Sequence, residues 1–260
     1  MKLSVLTENV AGGKFLAEHG LSYLIEIDGE KILYDTGHSN VFLHNAALLG
    51  IDICNDVENV VLSHGHWDHG DGLRFLKHKA LITHPNSFVN RYHKTNHSPV
   101  GLSLTKGEIQ KNYNIIETKE PFQLTKHLFY LGEIPRKNYY ESQTTSFILE
   151  NGEDDFVKDD SALGAVVGNE LVVITGCSHS GICNICERAK NVTGISKLKA
   201  VIGGFHLKTQ DRQTIETIEY FKKNKVEKLL PSHCTELPAL SSFYADFKTE
   251  QVKTGMILEF

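Results

Sequence analysis

The chain has 260 residues, 40% hydrophobic and 23% charged, an ordinary globular composition and long enough to bury a core without disulfides or structural metal. Its 27 basic and 32 acidic side chains leave a net charge of −5, so no basic excess advertises a nucleic-acid partner, and the densest basic run, Lys222-Lys223-Asn224-Lys225, reads as the solvated end of a helix. No window holds the roughly 18 apolar residues of a membrane span. The apolar part of the N-terminus is short for a signal peptide and the five cysteines fit no secreted scaffold, so the expectation is a cytoplasmic protein with reduced thiols and no membrane partner.

Residues 3–7 read as a first strand and 21–27 as a second; Asp28-Gly29 is a hairpin turn signal, and the chain returns over 31–34 to stop at Asp35-Thr36-Gly37. Residues 41–49 have helical spacing and end at Gly50. A strand over 57–62 runs into a histidine-rich loop, 73–77 look helical, and 80–83 form the next strand before His84-Pro85. From about 90 to 145 the pattern is less regular, with a hairpin near 128–131, and reads as an insertion within a single domain spanning 1–260. Strands over 171–175, 200–202 and 228–230 then alternate with helices over 182–190 and 215–223, and 256–260 form a terminal strand. Apolar positions 215, 218 and 221 mark the buried side of the second of these helices. Strand-helix alternation in both halves favours a layered α/β protein.

Histidines gather at the strand ends. One strand ends in Ser63-His64-Gly65-His66-Trp67-Asp68-His69, and three later ones in Gly176-Cys177-Ser178-His179, Gly203-Gly204-Phe205-His206 and Pro231-Ser232-His233-Cys234. Loops after strand C-termini are where α/β folds collect functional groups. His64 and His66 flank a glycine that lets the backbone bend so that both imidazoles face one ion, and Asp68 and His69 can face a second. The other histidines His44, His78, His93, His97 and His127 read as ordinary surface residues; His84 and His19 are weaker candidates for the same rim. Cys183-Asn184-Ile185-Cys186 spaces two small residues on one helical face, an alternative to a redox pair or an iron–sulfur ligand set with Cys177 and Cys234.

The His-x-His-x-Asp-His run after a buried strand, with Asp35-Thr36-Gly37 after the hairpin and the later strand ends, resembles the metallo-β-lactamase superfamily over nearly the whole chain. Asp35-Thr36-Gly37-His38-Ser39, Gly132-Glu133-Ile134-Pro135-Arg136, Gly176-Cys177-Ser178-His179, Gly203-Gly204-Phe205-His206-Leu207 and Ser232-His233-Cys234-Thr235 are similar to the branch that includes dihydropterin–ribofuranosylaminobenzene phosphate synthase. The resemblance implies a four-layer αβ/βα sandwich and two divalent metal ions, zinc foremost with iron or manganese as alternatives. It makes His64 and His66 ligands of the first metal, and Asp68, His69 and His233 ligands of the second. Asp35 would orient a ligating histidine through its other ring nitrogen. Where the superfamily places a bridging aspartate, this chain has Gly176-Cys177: either Cys177 bridges as a thiolate or His179 supplies a first-metal ligand, with Cys177 then a ligand or a small core residue. His206 stands between ligand, acid–base group, substrate contact and a histidine fixed by hydrogen bonds, and Arg136 between an anion clamp for substrate and a surface arginine.

The expected enzyme is a metal-dependent hydrolase of esters, lactones or phosphoesters, using a bridging hydroxide that Asp68 also orients. The alternatives are a transferase with pyrophosphate as leaving group and an iron-based redox protein. The expected partner is a small molecule, phosphorylated in the transferase reading; sequence says nothing of oligomeric state.

Overall fold

Asp28 and Gly29 take φ of 57° and 83°, the two-residue turn that an Asp-Gly pair favours, and so join Ser22–Ile27 and Glu30–Tyr34 as an antiparallel hairpin. In the computed structural model, which describes all 260 residues, that hairpin lies within the sheet of the first of two compact units. This unit comprises Met1–Lys119, Thr145–Asp159 and Lys253–Phe260. Its seven-stranded sheet continues from Glu30–Tyr34 through Asn59–Val61, Lys79–Thr83 and Tyr113–Glu117, all parallel. Lys2–Thr7 and Ile257–Glu259 extend the other side antiparallel. Leu24, Leu33, Val60 and Leu81 pack with Phe42 and Ala46 of the helix Val41–Leu48, each large apolar side chain contributing about 1.5–3 kcal/mol by burial. A small antiparallel sheet of Arg91–His93, Phe147–Leu149 and Asp154–Asp155 belongs to the same unit.

The second unit comprises Glu120–Thr144 and Asp160–Val252. Its six-stranded sheet repeats the plan: an antiparallel hairpin, Ala162–Val167 and Glu170–Thr175, followed by parallel strands Leu198–Gly204 and Lys228–Ser232. Leu128–Tyr130 and Phe122–Gln123 pair antiparallel beyond Ala162–Val167. The helix Ile182–Thr193 buries Ile182, Ile185 and Ala189 in the unit's core and stops at Gly194, whose φ of 73° supplies the left-handed C-terminal turn.

Some elements differ from their sequence reading. Residues 73–77 do not make an α-helix: Asp71–Phe75 is a short 3₁₀ segment, and Leu76 is already extended because the chain must enter Lys79–Thr83 three residues later. In Arg212–Asn224 the buried stripe is Thr214, Thr217, Ile218 and Phe221, while Ile215 is 57% exposed. The helix Leu237–Phe247 was unmarked by periodicity, its Pro238 falling in the first turn, where a missing N–H costs nothing. The stretch 90–145 supplies strands to all three sheets.

Candidate metal centre

In the first unit the Asp35-Thr36-Gly37 segment is built to hold the histidine loop. Thr36 N donates to His69 O at 2.7 Å, Leu21 N to Asp68 O at 3.2 Å, and Gly72 N to Gly37 O at 3.1 Å. Asp35, at φ 55°, turns its carboxylate inward. Its Oδ1 accepts from Ser63 N at 2.7 Å, and its Oδ2 from Ser63 Oγ at 2.7 Å and His69 Nδ1 at 2.6 Å. The role the resemblance gives Asp35, orienting a histidine through its other nitrogen, is therefore present in the geometry.

These bonds define tautomers. Ser63 gives its one hydroxyl hydrogen to Asp35, so at 2.9 Å it accepts from His64 Nδ1–H. The His64 Nε2 lone pair then faces His66 Nδ1, 3.0 Å away. Two nitrogens on one tetrahedral zinc lie about 3.3 Å apart, given zinc–nitrogen bonds of about 2.0–2.1 Å. His69, protonated at Nδ1 toward Asp35, presents Nε2 at 3.8 Å from Asp68 Oδ2. Burial, then the neighbouring His69 and His66 imidazoles, hold His64 well below the ordinary histidine pKa, so it is the neutral, ligating form at pH 7. A set of imidazole nitrogens and one carboxylate, buried together, fits a divalent cation by its donor chemistry.

Gly65 serves this loop differently from the sequence reading. It is needed for close approach: a Cβ there would collide with the carbonyl oxygen of Ser87. Its N–H donates to Asp159 Oδ2 at 2.7 Å, and Asp159 Oδ1 accepts from the buried Arg91 Nη2 at 2.9 Å. Arg91 also faces Asp155 at 3.3 Å. Sequence reasoning missed Arg91 and Asp159, which lie 68 residues apart along the chain. The weaker candidate His19 places Nε2 at 3.3 Å from Asp68 Oδ2. The other weaker candidate, His84, accepts from Asn86 N at 3.0 Å through its Nδ1 and so caps its own turn.

The second unit carries the other candidates at its strand ends. The donor atoms of Cys177, His206 and Cys234 all lie within 4.8 Å of one another. The His179 and His206 rings are 4.4 Å apart. Ser178, His206 and His233 all adopt left-handed φ of 50–59°, sharp turns that swing the following residues off the strands. Asp160, whose carboxyl burial pushes up, accepts from Ser180 N at 2.9 Å and from Ser180 Oγ, which positions the chain directly after His179. Burial pushes the Cys234 thiol up, but hydrogen bonding with Cys177 and His206 and the charges of His206 and His233 outweigh it and hold it well below the ordinary range. Arg136 is half-buried, with Nε donating to Ser142 Oγ at 2.9 Å. Cys183 and Cys186 are both core residues of Ile182–Thr193, and burial pushes both thiols up, so the Cys-x-x-Cys spacing serves packing.

A protein with this mixed-sheet α/β plan and such histidine-bearing strand ends belongs to a defined class. The chain is a member of the metallo-β-lactamase superfamily, whose family model matches residues 17–192. Two proteins of Methanocaldococcus jannaschii are similar over almost all of it. An uncharacterized protein is 34% identical over 250 residues, covering 92% of each chain. The 7,8-dihydropterin-6-methyl-4-(β-D-ribofuranosyl)-aminobenzene-5′-phosphate synthase is 33% identical over 285 residues, covering 100% of this chain and 97% of its own. The crystal structure of a metal-dependent hydrolase of the β-lactamase superfamily matches with a TM-score of 0.89 at 32% identity, covering 100% of this chain and 99% of that one. The expected metallo-β-lactamase-like fold is thus the fold of this chain. No helix is long and apolar enough to cross a membrane.

Proposed function

We propose that the protein is a metal-dependent hydrolase acting on a small ester, lactone or phosphoester. The observation that carries this reading is the convergence of His64 Nε2 on His66 Nδ1 at 3.0 Å, with His69 Nε2 turned to Asp68 Oδ2 at 3.8 Å. His64, His66, Asp68 and His69 would hold two divalent ions, zinc foremost, with His233 and with His179 in preference to Cys177. Such ions, when bound, supply Lewis-acid chemistry: they activate water at neutral pH and neutralise developing negative charge.

The chain's own residues do the rest. Asp35 keeps the His69 proton on Nδ1, and Ser63 keeps the His64 proton on Nδ1. Asp159 fixes the peptide between His64 and His66. Asp68 would orient an attacking nucleophile besides ligating, and His206 would serve as ligand or acid–base group. Arg136 would clamp an anionic group of the substrate.

The full-length similarity to the named synthase favours one second reading, a transferase with pyrophosphate as leaving group. Product analysis separates the two: a hydrolase consumes substrate with water alone, whereas the transferase releases pyrophosphate only with an acceptor present. The metal reading itself is tested by elemental analysis of purified protein. At least two ions per chain are expected, falling by one or two in His64→Ala/His66→Ala with loss of activity; wild-type protein that neither carries nor recruits zinc, iron or manganese refutes it.

A further inference from the structure

We propose that Cys177, His206 and Cys234 form a binding site of their own for a thiophilic divalent cation, with a fourth position open to water or ligand. All three lie in the second unit. They follow three adjacent parallel strands, Glu170–Thr175, Leu198–Gly204 and Lys228–Ser232. The register pairs Thr175 with Gly203 and Gly204 with Ser232. Cys177, His206 and Cys234 each stand two residues past one of these paired positions, so the sheet itself brings them side by side.

The donor atoms lie within 4.8 Å of one another. Around a tetrahedral zinc, with zinc–sulfur bonds of about 2.3 Å, the sulfur–sulfur edge is about 3.8 Å, so small side-chain adjustments close the set. Room for it is made by Gly204: a Cβ there would overlap Cys234 Sγ and the Gly176 carbonyl oxygen. Cys234 Sγ also lies 3.4 Å from Cys177 O. Nδ1 of His206 is buried and has no hydrogen-bond partner, and as a lone pair it is one that a cation at this spot would satisfy. Cys183 and Cys186 are absorbed by the core and do not compete.

Two sulfurs and one imidazole select zinc, cadmium or cobalt over magnesium or calcium. Both sulfurs bind as thiolates, so binding releases to solvent whatever thiol protons remain, and the two thiolates balance the charge of the cation. Three protein ligands leave the coordination open, as in zinc sites that bind water or substrate. The site uses neither the His64–His69 donors nor His233, and it gives His206 a ligand's role.

The test adds cobalt(II) to reduced, metal-stripped, full-length protein and reads the thiolate-to-metal charge-transfer band together with proton release. The band should appear in the wild type and persist in His64→Ala/His66→Ala, which separates this site from the metal reading above. It should lose at least half its intensity in Cys234→Ser, and the affinity should fall by about 10-fold or more in His206→Gln. Should Cys234→Ser fail to fold, by circular dichroism, His206→Gln decides. The absence of a band in the wild type overturns the proposal. So does a band lost in Cys177→Ser but unchanged in Cys234→Ser and His206→Gln, which would leave Cys177 as the sole thiolate, serving another ion.

Discussion

The two units share a strand plan but furnish their strand ends by different means. Each runs an antiparallel hairpin into parallel strands, and each places its polar residues just past the strand C-termini. In the first unit the donors sit in one short loop and are held by buried charges: Asp35 on Ser63 and His69, Asp159 on Gly65, Arg91 on Asp159. In the second unit the donors come from three separate strands, and backbone does most of the positioning. Left-handed turns at Ser178, His206 and His233 and the missing side chain of Gly204 set the thiols and imidazoles in place. Asp160, on Ser180, and Glu141, on Cys183 and Asn184, repeat the carboxylate device, but on backbone beyond the donors. A charge network orients imidazoles to within one tautomer but fails abruptly when a member is lost. A backbone frame tolerates side-chain loss and is broken by added bulk.

The largest expected effect follows from breaking the charge network. Asp159→Ala leaves Arg91 buried with Asp155 as its remaining counter-charge and Gly65 N without its acceptor. The cost should be about 3–5 kcal/mol, read as a lowered urea midpoint, with Asp159→Asn recovering part of it. The backbone frame is broken instead by Gly204→Ala, for which overpacking against Cys234 and Gly176 predicts a loss of about 1–3 kcal/mol. If Gly204→Ala is neutral while Asp159→Ala is severe, the second unit is less rigid than its turns indicate. Next comes Asp35→Asn, which keeps the shape of the side chain but weakens its hold on His69 Nδ1. Metal affinity should fall by about 10–100-fold with little change in the folded spectrum, as measured by chelator competition. An unaltered affinity would mean that packing alone orients His69.

Sequence was most informative where donors are neighbours along the chain. His64, His66, Asp68 and His69 declare themselves within six positions, and Asp35 followed once the resemblance supplied its role. What carries no local signal is a partner brought in by the fold. Gly65 and Asp159 are 94 residues apart, and nothing near Arg91 marks it as the one buried arginine pinned by two aspartates. Gly65 was recognised as special, but for flexibility, whereas the reason is the nearby Ser87 carbonyl, visible only in three dimensions. Sequence set Cys234 beside Cys177 only in an iron–sulfur alternative with Cys183 and Cys186, because its relation to His206 depends on strand register across three strands. The strand Ala162–Val167 escaped notice for a related reason: its small residues Ala162, Gly164 and Ala165 have weak strand preference and are placed by pairing with Glu170–Thr175.

The smallest effect tests whether the second unit also stores an electrostatic cost. Glu141 is fully buried and accepts from Cys183 N at 2.8 Å and Asn184 N at 2.9 Å, at the start of Ile182–Thr193. Those donors favour the carboxylate, yet burial outweighs them and raises its pKa above the ordinary 4.5. Below about pH 4.5 the side chain is protonated in both the folded and unfolded chain. As pH climbs past that value the unfolded chain gives up its proton first, so the stability this group contributes drains away up to its folded pKa. Glu141→Gln keeps an oxygen for the helix N-terminus and cannot ionise. Its stability relative to wild type, from urea unfolding at pH 4.5 and upward, should therefore rise with pH. Parallel curves would show that the helix N–H groups fully offset burial, and that this unit, unlike the first, carries no electrostatic strain.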